Sequence, residues 1–440
     1  MNMLQRVLVR DLWHMRGPLL AAACVVACGI AVLVAVRGTY QSLRFAQSDY
    51  YQSHRFADVF AHLKRAPQGL AATIRALPGV ARAETRLVVE AMVDVPGLSE
   101  PAMARMVTFE GQDASELHHL QIVQGQAIQS GALDQVLVSQ AFAEANKLRV
   151  GDRLVTLLHG RLKEWVIQGM ALSPEFIYEV GNGMLFPDNR RYGVLWVPHE
   201  ALAPAFDMQG AFNDVILSMS QGASEPALVD ALNEILRDYG GLDAHGRDLQ
   251  LSHRFLTDEL MELDVMTSIL PSLFLSVSAF LLYMVLSRLV ATQRTQIGLL
   301  KAFGCTNAQV GLHYAGFAAA TVLMGWLLGL PLGWGLGHLF VGVYRDFFHF
   351  PTLQFQLDPV LVGWCLLVSV VSASAGALHS VGQAVQLAPA EAMRPQSPAT
   401  DRWSSGMFRW VRIGGAASVR MILRQLVRRP WRAMATILGM

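Results

Sequence analysis

RLVATQRTQIGLLKAFGCTNAQV, Arg288 to Val310, is a short basic stretch caught between two long apolar runs. Val265 to Ser287 before it carries no charged residue, and none occurs from Gly311 to Tyr344 after it. Arg288, Arg294 and Lys301 stand in between with no acid to balance them. Two membrane-spanning helices that return the chain to the membrane surface account for this pattern, and such a segment is placed to meet a partner.

Working outward, Pro18 to Val36 and Pro359 to Gln386 are also uncharged and long enough for a bilayer core, which takes roughly 20 helical residues. Of the 440 residues, 53% are hydrophobic and only 16% charged, well below the quarter or so found in soluble proteins. The expected order is a segment 1–17, spans at 18–37, 265–287, 310–344 and 359–386, a basic segment 288–309 and a short loop 345–358. Arg6, Arg10 and Arg16 ahead of the first apolar run leave a signal peptide open. The length of the run and the lack of an A-x-A site favour a retained anchor.

Charge is divided along the chain. Gly38 to Asp264 holds 18 Lys/Arg against 29 Asp/Glu, whereas the rest holds 17 against 5. Basic segments stay on the cytoplasmic side, which puts the acidic domain 38–264 and loop 345–358 outside. That domain has no cysteine and must rest on its own core. Cys24 and Cys28, four apart, are expected as small buried thiols in a span, with a metal pair as the alternative.

The acidic domain opens with a strand at DVFAHL, a helix begun by Pro67, and β-rich alternation through RAETRLVVEAMVDV and ARMVTFEGQD. Its end repeats the grammar with NDVILSMS as strand, EPALVDALNEILRDYG as helix and RDLQLSH as strand. Two α/β halves separated in sequence predict one split sheet interrupted by a β-rich insertion, about 117–199. Ser173 to Tyr192 reads as a loop and a candidate contact surface through Phe176, Tyr178 and Phe186. Leu256 to Asp264 reads as a polar helical stalk entering the second span.

Gly325, Gly329, Gly333 and Gly337 recur every four residues and share one helical face. Small residues so placed let membrane helices approach closely. A substrate-lining face is the alternative, and Pro331 is expected to kink the helix. After Pro389, Pro395 and Pro398 the sequence starts over. SVRMILRQLVRRPWRAMATILGM matches LQRVLVRDLWHMRGPLLAAACVV with Arg6 at Arg420, Arg10 at Arg424 and Leu12 at Leu426. A cytoplasmic linker with the start of a second repeat is expected over 387–432 and the start of a fifth span over 433–440, the chain being the first half of a duplicated protein. Coincidence between two basic juxtamembrane segments is the alternative.

Several chemistries lack their residues. The four lysines, Lys64, Lys147, Lys163 and Lys301, never follow a glycine, so there is no G-K-[ST] phosphate loop. There is no H-E-x-x-H, C-x-x-C or G-x-S-x-G. His118-His119 reads as surface polar sequence, and His313, His338 and His379 as neutral packing or interfacial residues. No catalytic, cofactor-binding or metal site is assigned, and no nucleic-acid contact is expected.

The span order and two motifs resemble the FtsX-like permeases of the MacB type. R-T-Q-I-G-L-L-K-A-F-G-C-T, Arg294 to Thr306, is similar to the family's segment after the second span. Leu387 to Arg394 matches its L-x-P-x-E-x-[LM]-R. VLVSQAFAEANKLRVGDRL also looks like an external-domain signature of the family. The resemblance implies a membrane α-helical protein with a large extracytoplasmic α+β domain, made of a split porter-like α/β part and a β-rich insertion. It implies residence in the inner membrane and an ABC ATPase on a separate chain, expected as a dimer, which binds the ATP. A periplasmic adaptor or lipoprotein carrier is a further expected partner, beside the membrane lipids. The implied activity is export or extraction of an amphiphile (lipid, lipoprotein, peptide or drug), driven from the ATPase through the second-span helix. The alternative is an FtsX-like signalling protein that controls an external partner such as a wall hydrolase. Arg294, Gln296, Ile297, Gly298, Lys301, Ala302 and Gly304 are the expected ATPase-coupling residues. Gln296 departs from the family's acid at that place and keeps hydrogen bonding without charge.

Overall fold

The computed structural model describes residues 3–110, 117–129, 131–181, 183–184, 186–386 and 388. The expected linker, second repeat and fifth span, and most of the motif from Leu387 to Arg394, lie outside them. In chain order the elements begin with α1 (Met3–His14), α2 (Arg16–Ser53), β1 (Val59–Pro67), α3 (Leu70–Arg75), β2 (Val80–Arg86), β3 (Val88–Asp94) and β4 (Ala102–Thr108). Then come β5 (Gln121–Gly125), β6 (Gln135–Ser139), α4 (Gln140–Ala145), β7 (Arg153–Leu158), β8 (Arg161–Leu172), β9 (Tyr192–Val197) and α5 (His199–Leu202). The last are β10 (Ala211–Met219), α6 (Glu225–Leu236), β11 (Leu242–Gly246), α7 (Leu251–Thr292), α8 (Arg294–Ala302), α9 (Asn307–Phe347) and α10 (Pro359–Gln386). The chain forms two compact units, one from Met1–Gly38, Val265–Gly337 and the chain from Leu357 on, the other from Thr39–Asp264 with His338–Gln356.

In the helical unit, α2, α7, α9 and α10 are each long and apolar enough to cross a membrane. α7 has 42 residues, roughly 60 Å of helix, twice the ~30 Å hydrocarbon layer. It includes the expected stalk, 256–264, in its first turns. The glycines of α9 meet α2. A Cβ on Gly325 would lie 2.6 Å from Val26 Cβ, one on Gly329 2.7 Å from the Ala27 carbonyl, and one on Gly333 2.7 Å from Val34 Cβ. Gly337 lies one turn further along α9. Gly376 of α10 makes the same kind of approach to the Ala279 backbone of α7, and Ser372 Oγ donates to the Leu275 carbonyl at 2.8 Å. Cys24 and Cys28 are exposed on α2 rather than buried, while Cys365 is buried. The small faces of α2 are turned to α9, which leaves these two thiols outside the contact.

The large unit holds two sheets. The first has the strand order β11-β1-β10-β2, with all neighbours antiparallel. β1 and β2 precede the insertion and β10 and β11 follow it, the β-α-β-β-α-β arrangement split in the middle. Leu228, Leu232 and Leu236 of α6, spaced four apart, and Ile74 of α3 cover Val59, Ala61, Phe212, Val215 and Leu217. β1 extends to Pro67 because Ala66 and Pro67 pair with Phe212 and Ala211. The helix therefore starts at Leu70, not at the proline. RDLQLSH is not a strand. The strand against β1 is β11, just before it, and Arg247 ties the turn down by donating to the Phe56 and Ala57 carbonyls at 2.6 and 2.7 Å.

The second sheet has the order β5-β8-β6-β9-β4-β3-β7, and β7 also pairs with β8. The first half of the 12-residue β8 bonds to β7 and its second half to β6 and β5, so six strands close into a ring with β5 outside. The β-rich insertion thus begins at β3, well before 117. RAETRLVVEAMVDV breaks at Leu87, whose N–H leaves the ladder for Thr108 Oγ1 at 2.8 Å, and its two halves serve different sheets. The ring is filled by Met106, Phe142, Leu154, Trp165 and Ile167, and the Trp165 Nε1–H donates to Thr156 Oγ1 at 2.8 Å.

Candidate functional site: the coupling segment and the charged junction

α7 stops at Thr292 because Gln293 leaves the helical region (φ −93°, ψ 13°), and α8 follows as a separate nine-residue helix. Gly304 ends it at φ +93°, a left-handed conformation that glycine adopts without strain. The Cys305 N–H reaches the Leu300 carbonyl and the Gly304 N–H the Lys301 carbonyl, each at 3.0 Å, the two bonds of a Schellman turn. Thr306 then opens α9 with a reciprocal cap. Its N–H donates to Gln309 Oε1 at 2.9 Å, while the Gln309 N–H donates to Thr306 Oγ1 at 3.3 Å. G-C-T-N-A-Q is therefore one stop-and-start signal.

The expected coupling residues divide between the two faces of α8. Ile297, with no exposed surface, and Gly298 are buried, and Ile297 joins a core with Leu286, Leu289, Tyr314 and Phe317. Lys301 Nζ donates to the Val385 carbonyl in the last turn of α10 at 2.7 Å, where the helix dipole favours a cation. Gln296, Ala302 and Gly304 are exposed and Arg294 half-buried. Sequence reasoning missed Phe303, 84% exposed at the end of α8, beside the partly exposed Leu299. Large apolar residues in a basic segment outside the spans are the signal that could have found both. It also missed a clamp at the α7–α8 break. Gln293 Nε2 donates to buried Asp11 Oδ2 of α1 and Gln293 Oε1 accepts from the Tyr314 hydroxyl of α9, both at 3.0 Å.

Residues 268–389 match the family model "FtsX-like permease C-terminal". Over those residues the chain is similar to the C-terminal domain of FtsX-like permeases. No curated protein matches the sequence. Among solved structures, the chain is similar to the periplasmic region of MacB from Actinobacillus actinomycetemcomitans at 8% identity and a TM-score of 0.31, over 49% of this chain and 97% of that one. It is also similar to the extracellular domain of the noncanonic ABC-type transporter YknZ from Gram-positive bacteria, at 11% identity and a TM-score of 0.29, over 43% and 98%. A domain of a permease protein from Porphyromonas gingivalis aligns at 16% identity and a TM-score of 0.27, over 42% and 84%.

The large unit holds a buried charge cluster where its two sheets meet. Arg86, at the end of β2, gives Glu175 a fork of two hydrogen bonds at 2.6 and 2.8 Å and Asp214 of β10 a third at 2.5 Å. His118, which the sequence placed at the surface, is 5% exposed. Its Nε2 accepts from the Ala57 N–H at 3.0 Å, which leaves the proton on Nδ1 to donate to Glu175 Oε2 at 2.9 Å. Burial alone would raise the Glu175 carboxyl, but Arg86 and then His118 hold it well below the usual carboxylate range. Asp214 is likewise lowered, with Arg86 and then His62 overcoming burial, and its bond to His62 raises that imidazole.

Glu175 stands in the segment that the sequence offered as a contact loop. Phe176 and Tyr178 are buried there and only Phe186, 74% exposed, faces outward. Tyr178 packs between Phe255 of α7 and Phe348, with ring centroids 4.6 and 5.4 Å away, and its N–H donates to Ser252 Oγ at 2.9 Å. The His349 N–H donates to the Ile177 carbonyl at 2.8 Å, and the Tyr344 hydroxyl donates to Glu259. This buried connector therefore ties the ring to the start of α7 and to the chain after α9. Among the described residues no group of three His, Cys, Asp or Glu could hold a metal.

Proposed function

We propose that this chain is the transmembrane permease subunit of an ABC transporter of the inner membrane, driven by an ATPase on a separate polypeptide. One observation carries the reading: α7 runs as one helix from Leu251 to Thr292, with Pro271 inside it. Its first turns hold the Tyr178 connector, and its last residue adjoins α8, which offers Gln296, Leu299 and Phe303 on its open face. Movement imposed on α8 by ATP-dependent closure of the partner is passed along α7 to the large domain, which acts on an amphiphile outside the membrane. Within α8, Ile297 and Lys301 hold the helix to its own unit, and Gln296 and Phe303 meet the ATPase.

Copurification with the ATPase and its hydrolysis rate test this. Phe303→Asp with Gln296→Arg is expected to abolish both association and amphiphile-stimulated hydrolysis, with the melting temperature of the permease unchanged. Association retained at the wild-type level would remove α8 as the docking element. Intact association with no stimulation by any lipid or peptide would remove transport in favour of a signalling role.

A further inference from the structure

We propose that the helical unit holds a binding site for one anionic glycerophospholipid, in a groove beside the basic end of α7. The groove encloses about 1340 Å³. Its floor is one stripe of α7: Phe280, Tyr283, Met284, Ser287, Arg288 and Ala291 recur at the three- and four-residue steps that share a helical face. His14, Met15 and Pro18, where α1 passes into α2, form one wall, and His379 of α10 contributes to the other. All of these belong to the helical unit.

The lining is sorted by chemistry along the helix. Phe280, Tyr283 and Met284 offer apolar and aromatic surface, and Ser287, Arg288, Thr292 and Gln293 follow within three turns. From Phe280 to Gln293 the helix rises roughly 20 Å, a length on which a headgroup and the upper part of an acyl chain lie together. Among the described residues no acidic side chain lines the groove. The Arg288 guanidinium is exposed and has no hydrogen bond or ion pair among the described residues. Arg288 is also the first charge after the uncharged run Val265 to Ser287, at the depth where apolar chain gives way to headgroup. Trp13, 71% exposed with Arg16 stacked 5.4 Å from its ring, marks the same boundary on the neighbouring helices. A basic pocket between membrane helices selects a phosphate headgroup, and an apolar stripe below it selects an acyl chain. A phospholipid supplies both; a soluble anion or a bare hydrocarbon supplies one. The groove is lined by α7, the α1–α2 passage and α10 and not by the exposed face of α8, so it stands or falls apart from the ATPase-docking reading.

Native mass spectrometry of the purified full chain, titrated with phosphatidylglycerol, phosphatidylcholine and diacylglycerol, tests the assignment. Phosphatidylglycerol is expected to remain bound at one molecule per chain, with diacylglycerol weakest. Arg288→Gln should weaken phosphatidylglycerol roughly fivefold, the worth of one cation at a membrane surface, and Arg288→Lys should keep most of the affinity. Ala291→Trp, which fills the groove, should displace the lipid with the melting temperature kept. A photoreactive phenylalanine analogue at position 284 should label the lipid. Equal retention of diacylglycerol, indifference to Arg288→Gln, or labelling of a second protein chain in place of lipid would overturn the proposal.

Discussion

Glu179 is a carboxyl with almost nothing around it to share a charge. It is fully buried, its described hydrogen bond comes from Ser139 Oγ at 2.8 Å, and burial pushes it from its ordinary 4.5 up to about 8. The native fold holds its proton, so the contribution to stability is complete below pH 4.5 and fades as pH rises through about 8. Glu179→Gln is uncharged at every pH and removes that dependence. The variant is expected to match the wild type in urea unfolding near pH 4.5 and to exceed it by a few kcal/mol, on the order of the shift, at pH 8. A difference that does not grow with pH would show that the carboxylate is already ionised in the native state. Glu175, four residues away, has the opposite character, because Arg86 and His118 supply what Glu179 lacks. Nothing in S-P-E-F-I-Y-E distinguishes the two glutamates. Their partners come from β2, from the stretch before β5 and from β6, and only the folded chain brings these together.

At the scale of elements, the contact between α2 and α9 depends on three side chains that are missing. Gly329→Leu would put a Cβ 2.7 Å from the Ala27 carbonyl and 2.9 Å from Ile30 Cβ, and the helices must part to admit it. A cost of about 1–3 kcal/mol is expected, read as a lower melting temperature in detergent. At Gly335 on the same helix an added Cβ meets nothing within 4 Å, and Gly335→Leu should leave the melting temperature unchanged. Elements of this kind were open to sequence reading. Uncharged runs announce spans because the bilayer sets their length, and the glycine spacing announces a face because the helical period does. The split sheet was open as well, since strand–helix–strand recurs on both sides of the insertion. The break at Leu87 was hidden in an unbroken β pattern, because both halves have the right alternation and only the Thr108 hydroxyl marks the change of sheet. Gln293 was hidden for a different reason: a glutamine in a basic segment looks solvated until Asp11 and Tyr314 arrive from distant parts of the chain.

For the whole molecule, α7 carries chain from the large unit at Asp264 into the helical unit at Val265 and on to the start of α8, while α2 and α9 cross between the units at Gly38 and Gly337. Three glycines inserted between those two residues would break its backbone hydrogen bonds locally, while the cores of both units stay intact. ATPase association is expected to persist, and stimulation of hydrolysis by amphiphile to fall to the basal rate. Preserved stimulation would mean that the signal travels through α2 or α9.

The closure of β8 onto both β6 and β7 has one more consequence. A ring of six strands has no row of unpaired amides to offer, so a visiting peptide cannot extend it by pairing. Among the described residues, strand addition is confined to β5 on the outside of the ring and to β2 and β11 at the borders of the other sheet. A protein that docks on the ring itself must read its side chains and turns, and recognition there is set by surface chemistry rather than by backbone.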